Sequence, residues 1–315
     1  MNSSEGGNVP DLGHRIFGGT LLLVSAMTGL TSNLVVLATI FANFNKFSKW
    51  AFSLIVLNII IGDLMVQAAQ VLVAAPIIYM ADKIYDDTFR KIMSLGDMVG
   101  YTLNLYFAML LVLNRFLHLI FPSAKNVFFK NFRTYVIIVM LWAYILTRCI
   151  GSAVFGCIKD FNVKMFNFYF DCNRPGVAEW AKLSVTIVKH ESLYEPIGMF
   201  LGYMIIWVWL RYKGTSAVVA KHQKNLLLQS ALICGSLLLE GLAFMGVKLI
   251  RATGLGAFYM SILVNLIIIG NSSMTSIVLL IFNHDVKGKV KDLICKGSTH
   301  RVVYTAPQIK RSSTR

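Results

Sequence analysis

Charge is what this 315-residue chain has least of. Charged residues make up 14% of it against 56% hydrophobic ones, and only fifteen are acidic. With a mean hydropathy of +0.65, that scarcity excludes an ordinary soluble domain. Nucleic acid is excluded as a partner too. The thirty basic residues lie between apolar runs and not on one patch, which suits loops facing the anionic lipids of a membrane. Cysteine is sparse: the five residues show no C-x-x-C pair and no metal-site spacing. H-E-x-x-H and G-x-S-x-G are missing, and His14, His118, His190, His222, His284 and His300 all fall at segment ends or in loops. An intramembrane enzyme is therefore the weakest class. No repeat of roughly 20–50 residues, no inverted symmetry and no pair of interrupted segments appears, which counts against a transporter or channel, the alternative reading. A cleaved leader is not expected, because the first fifteen residues are polar and the run after them is long.

Seven apolar segments are present, at about 16–41, 50–75, 97–121, 134–157, 190–212, 225–250 and 256–282. Each is near the length of a spanning helix, and only helices or closed barrels satisfy their backbone in lipid. With the N-terminus outside, the inner segments hold eighteen basic residues, among them Lys46, Lys49, Lys125, Arg133, Lys221 and Lys287, against eleven in the outer ones. That excess predicts an extracellular N-terminus and a cytoplasmic C-terminus. Asn2-Ser3-Ser4 is a candidate glycosylation sequon on the outer side. After Phe282, Val286, Val290, Leu293 and Ile294 recur at helical spacing between lysines, which predicts a short amphipathic helix on the membrane face with Cys295 a candidate for palmitoylation.

The stretch from Asp97 to Pro122 organises the rest, with no charge between Met98 and Leu113 and Asn114-Arg115-Phe116 at its far end. An acid at one mouth and an arginine at the other suit a device that connects two membrane faces. Ionisable groups at mid-membrane cost about 2.5–3.5 kcal/mol on insertion scales, so each calls for a role. Asp63 is the clearest, and Asn33, Asn104, Asn271, Ser272 and Thr275 fall at similar depth. They either form one hydrated cluster holding a small cation or make helix-to-helix hydrogen bonds alone. Towards the outer face stand Asp97, Arg148, Glu191, Glu195, Glu240 and Lys248. With Tyr101, Tyr194 and Phe244 they form a candidate pocket for a polar or amphiphilic small ligand, set against the simpler reading of an Arg148–Glu195 ion pair and a solvated Asp97. Cys157 and Cys172 flank a stretch placed outside, and are read either as a disulfide or as two free thiols.

These motifs resemble a rhodopsin-like G-protein-coupled receptor over nearly the whole chain. Asn33-Leu34-Val35-Val36 is similar to the family's N-x-x-V, Asn58 through Asp63 to its N-L-A-x-x-D, and Asn114-Arg115-Phe116 to its D-R-Y, with Pro122 at the family's spacing. Trp142, Pro196 and the run Asn271 to Ser276 match helices four, five and seven, and Asn283 the turn before helix eight. The resemblance implies that Arg115 couples a G protein, flanked by Asn114 and Phe116. It implies that Asp63, Asn104, Asn271 and Ser272 form a sodium site, and that Asp97 falls where amine receptors hold an ammonium group. Departures are clear. Asn114 replaces the acid of the triplet, Thr275, Ser276 and Leu279 replace the N-P-x-x-Y residues, and helix six has no C-W-x-P. Arg90 stands where the helix-three cysteine belongs, so the clamp to the second outer loop is expected to be absent. Helix seven has no lysine, which excludes a retinal Schiff base. With the L-N-R-F-x-x-x-I-F-P run, the departures resemble nematode serpentine chemoreceptors, class X or a close relative.

The expected fold is thus an all-α membrane protein, a seven-transmembrane helix bundle with a short amphipathic cytoplasmic helix after helix seven. Residues 1–15 are expected to be the extracellular N-terminus, 16–282 the receptor domain, and 283–315 the cytoplasmic helix and tail. The expected function is a chemosensory receptor of the plasma membrane or of a sensory cilium, with a small extracellular ligand, a heterotrimeric G protein and membrane lipids as partners. No cofactor is expected beyond a sodium ion as allosteric modulator.

Overall fold

The computed structural model of the protein describes residues 10–48, 50–82, 84–213, 217–250 and 252–296. Side chains at 126, 131, 217–226, 247–249 and 293–296 stand outside that description, as do Asn2, the Lys248 side chain and the Cys295 thiol.

The apolar runs form seven long helices: α1 (Leu12–Ala42), α2 (Ala51–Met80), α3 (Asp87–Leu119), α4 (Asn131–Val154), α5 (Glu179–Tyr212), α6 (Ala217–Leu249) and α7 (Gly254–Phe282). Each contains a stretch long and apolar enough to cross a bilayer. A short α8 (His284–Lys296) follows at once. Asn283 starts it, its side-chain oxygen accepting from the backbone N–H of Asp285 and Val286. Val286 is buried and Val290 packs against the same core, so the first two turns of α8 rest on the bundle. Lys46 and Asp285 pair across this end at 2.7 Å, but both are exposed, so the contact contributes about 1 kcal/mol at most.

Two helices start before their apolar runs do. α3 begins at Asp87, where hydropathy predicts 97, and α5 at Glu179, where it predicts 190. Local chemistry extends them. Asp86 caps α3 by accepting from the Thr88 N–H at 3.0 Å, and the Thr88 hydroxyl together with that N–H draws its carboxyl below the ordinary range. Lys182 reaches Glu179 across the first turn of α5 at 2.7 Å. In α2 a π turn, Gln70–Ala74, takes up the backbone mismatch just before Pro76, which has no N–H to give.

Two close approaches fix how the helices meet. A Cβ on Gly62 of α2 would lie 2.8 Å from the Gly100 carbonyl of α3, and one on Gly100 would lie 2.5 Å from the Gly62 carbonyl. The two backbones therefore touch. In α5, Pro196 leaves the Ser192 carbonyl without its helical donor. Gly241 of α6 packs onto that oxygen, where a Cβ would sit 2.5 Å away.

Between α4 and α5 the chain forms a β-hairpin that hydropathy did not predict. β1 (Ile158–Asn162) pairs antiparallel with β2 (Asn167–Asp171), Ile158 opposite Asp171 and Asn162 opposite Asn167. Cys157 and Cys172 are joined by a disulfide at its base. At the tip, Asn162 accepts from the N–H groups of Lys164 and Met165. Phe166 adopts φ 52°, a left-handed conformation disfavoured for a bulky residue, and burial against Phe258 at 5.3 Å between ring centroids holds it there. Ser261 and Asn265 of α7 donate to the Met165 and Phe166 carbonyls at 2.7 and 3.0 Å. The tip thus packs with Leu22, Val73 and Ile262 into the bundle's mouth.

Candidate functional site

The polar residues that the sequence merges into two clusters separate into several distinct groups. The deepest is centred on Asp63. Asn104 donates to its Oδ1 at 2.7 Å, and the Thr275 hydroxyl adjoins the carboxylate. Gly62 makes this possible, since a Cβ there would meet Asn104 Oδ1 at 2.5 Å. Asp63 Oδ2 and Asn104 Oδ1 are both buried and make no hydrogen bond of full geometry. A carboxylate oxygen and an amide oxygen are both of the hard type that sodium or calcium ions accept as ligands.

The other two residues expected at that site are turned elsewhere. Asn271 donates to Glu240 Oε2 of α6 at 2.6 Å and accepts from Ser236 at 2.7 Å, because its side chain leaves α7 on the α6 side. The Ser272 hydroxyl bonds back to the Ile268 carbonyl of its own helix. The Ser272 carbonyl instead receives Asn33 and Gln67 at 2.8 and 3.2 Å, forming a second knot between α1, α2 and α7. Gln67, absent from the sequence reading, completes it by accepting from Asn33 at 3.0 Å.

At the mouth, Asp97 already holds an ammonium group, that of Lys159 on β1, whose Nζ also lies over Phe168 and Phe170. Asp97 is therefore neither solvated nor open to a ligand amine. Beside it, Arg90 forks onto Asp160 through Nε at 2.6 Å and Nη2 at 3.0 Å, and also reaches Asp87 at 2.9 Å. The clamp expected to be absent is present in ionic form. The sequence carried a signal for it: Arg90 stands in the missing cysteine's place and Asp160 lies three residues after Cys157.

Behind the hairpin, Tyr101 of α3 faces Phe244 of α6 edge-on at 6.5 Å, with Val66, Val264 and Ile268 around them. Ser192 stands beside the Tyr101 hydroxyl, and the carboxylates of Glu195 and Glu240 act on it. Glu240 is almost wholly buried, and Glu195 Oε2 is buried without a hydrogen-bond partner. Tyr194 does not belong here: it is 64% exposed and stacks on His190 along the outside of α5. Arg148 is elsewhere too. It pairs with Glu191 at 2.7 Å, not with Glu195, and bonds to Tyr106, Tyr144 and the Ser184 carbonyl between α3, α4 and α5.

At the α8 end, Arg115 is buried and its guanidinium lies 4.2 Å from the Phe52 ring centre, with Tyr203 of α5 nearby. No carboxylate pairs with it among the described residues, and its Nε makes no hydrogen bond. Asn114 is buried next to it, and Phe116 packs into the α3–α5–α6 core against Phe121. Trp142 of α4 donates to Asn58 of α2 at 2.7 Å, tying the same end together.

Seven spans in this order, a short eighth helix and a hairpin over the mouth make up a rhodopsin-like fold. The chain is similar to squid rhodopsin, with a TM-score of 0.72 and 13% identity over 93% of this chain and 88% of that one. At that identity the likeness concerns the fold alone. The family model for the serpentine type 7TM GPCR chemoreceptor Srx matches residues 23–283, and the chain belongs to that family. It is a multi-pass membrane receptor of the GPCR type. No curated protein matches the sequence.

Proposed function

We propose that this receptor works as a chemosensor of the plasma membrane, as in a sensory cilium, with the hairpin end outside and α8 in the cytoplasm. The excess of lysine and arginine on the α8 side supports that orientation. A small polar or amphiphilic ligand binds towards the hairpin end and favours one of two arrangements of α3, α5 and α6, by its differential affinity for them. A heterotrimeric G protein then engages the α8 end at Asn114, Arg115 and Phe116. A sodium ion at Asp63 and Asn104 acts as modulator.

The observation that carries this reading is Arg115, a buried cation that no acid pairs with among the described residues, stacked on Phe52 at the α8 end of α3. Such a group is available to a partner. The buried acids support a receptor over a transporter, since Asp63 and Glu240 belong to separate networks, on Asn104 and on Asn271.

The test is guanine-nucleotide exchange on a panel of Gα subunits, using membranes with matched amounts of wild type and Arg115→Ala. It is run without ligand and with a pooled odorant and metabolite set. Exchange that disappears in Arg115→Ala is the expected result. Equal exchange from both proteins, or none from surface-exposed wild type under any condition, overturns the reading.

A further inference from the structure

A groove of about 540 Å³ opens between α4 and α5, lined by Ala143, Tyr144, Arg148, Trp180, Leu183 and Ile187 among others. It faces sideways: Tyr144 of α4 is 48% exposed and Leu183 of α5 59%, and both helices contain spanning stretches. On α4 that flank lies inside the apolar run, and on α5 it lies just before the run that starts at 190, so the groove stands at the hairpin-side edge of the hydrocarbon layer. Trp180 closes the groove's hairpin end, its ring against Gly151 and stacked edge-on with Phe155 at 4.8 Å. Arg148 lies six residues before the end of α4, or about 9 Å down the axis.

A charge at that depth on a lipid-facing side needs an explanation. Glu191 neutralises Arg148, so the pair as a whole carries no net charge. The hydroxyls around it are used unequally. Tyr106 donates to Glu191 Oε1 at 3.0 Å while its oxygen accepts from Arg148 at 2.8 Å. The Tyr144 oxygen also accepts from Arg148, at 3.2 Å, but its proton has only the Tyr106 oxygen, 3.4 Å away, at the limit of a hydrogen bond. Tyr144 lines the groove. The groove therefore offers the Tyr144 hydroxyl as an under-used donor beside those of Thr147 and Ser184, with the Arg148–Glu191 pair behind it and largely apolar walls. An anionic or cationic head group would upset the balance of charge, whereas a neutral acceptor completes the hydrogen bonding.

We propose that this groove is a binding site for an uncharged, membrane-partitioning amphiphile whose carbonyl oxygen accepts from Tyr144 and whose hydrocarbon body lies along Leu183 and Ile187. The mouth of the bundle is capped by the hairpin, and this site is reached from the bilayer. The proposal deepens the receptor reading by giving a class of ligand and a route. It rests on that reading only for signalling, because binding here needs no G protein.

The probe is a medium-chain alkyl methyl ketone with a diazirine at the end of its tail, applied to the full chain in nanodiscs of ether-linked phosphatidylcholine, which has no ester carbonyl. Light is expected to label peptides containing 143–148 and 180–187. Unlabelled ketone should compete and the alkane of equal length should not. Tyr144→Phe, which keeps the ring, should weaken binding about tenfold, as the loss of one hydrogen bond does. Ala143→Trp, placed at an exposed position, should fill the groove and remove the label. Three results overturn the proposal: competition by the alkane as strong as by the ketone, unchanged affinity in Tyr144→Phe, or loss of label when ester-linked phospholipid replaces the ether lipid. The last would mean that bulk lipid carbonyls occupy the groove. A failed nucleotide-exchange assay leaves all these outcomes standing, so the two readings fail separately.

Discussion

Arg90 and Asp160 are joined by two near-parallel hydrogen bonds, 2.6 and 3.0 Å long, and both side chains are almost wholly buried. This fork ties the start of α3 to β1 at the place where the family resemblance expects a cysteine bridge. A salt bridge of this kind forms without an oxidant. Removing one partner leaves the other charge buried, so Arg90→Met or Asp160→Leu alone is expected to cost about 3–5 kcal/mol, and the double variant to recover most of it. Thermal unfolding of the detergent-solubilised receptor measures this. Strictly additive losses would show that the pair is not a unit.

The hairpin has a second fastening in the Cys157–Cys172 disulfide, which closes a loop of sequence separation 15. On chain-entropy grounds a loop of that size contributes about 3 kcal/mol. Reductant, or Cys157→Ser with Cys172→Ser, is expected to lower the melting temperature, and more steeply in an Arg90→Met background because both fasten one element. Identical melting with and without reductant would count against the bridge as a stabilising element.

Sodium is expected to act through Asp63 and Asn104 and not through Asn271. If agonist potency shifts with sodium, Asp63→Ala should abolish the shift and Asn271→Ala should keep it, as read by nucleotide exchange in sodium against choline chloride. Loss of the shift in both variants would mean one connected cluster, contrary to the separate bonds to Asn104 and Glu240.

Asp97 is committed to Lys159. Asp97→Asn is therefore expected to weaken cationic and neutral agonists to the same degree, through a loosened hairpin. A selective loss for cationic agonists in dose–response curves would restore Asp97 as a ligand contact.

Phe52 restrains Arg115 by a stacking contact that holds roughly 0.5–2 kcal/mol. Phe52→Leu is expected to raise ligand-free nucleotide exchange a few-fold, with unchanged receptor abundance. Unchanged or lower basal exchange would show that the aromatic contact does not restrain the arginine.

The seven spans were legible because burial in lipid imposes one requirement, about twenty apolar residues, that a single sequence displays directly. Asn283 and the valine stripe gave α8 in the same way. The extra turns of α3 and α5 were not legible, since Asp86 and Glu179 act by capping and pairing where hydropathy is silent. Site residues were legible as a list and not as an arrangement. Asn271 and Ser272 are adjacent in sequence, yet one reaches Glu240 and the other bonds its own helix, a difference of helix azimuth that depth alone does not carry. The ionic fork needed two residues 70 positions apart, Arg90 and Asp160, to be paired across a hairpin whose strands hydropathy had left as loop.

The seat of Gly241 on the Ser192 carbonyl gives α6 a fulcrum. Below it, α6 runs twenty-four residues to Ala217, about 36 Å, and above it only eight to Leu249, about 12 Å. The arms differ by a factor of about three. A rigid tilt about that point converts a displacement of 1 Å near the hairpin into about 3 Å at the α8 end. Mechanical gain of this kind comes from where a proline and a glycine stand, and needs no contact between a ligand and the far end of the lever.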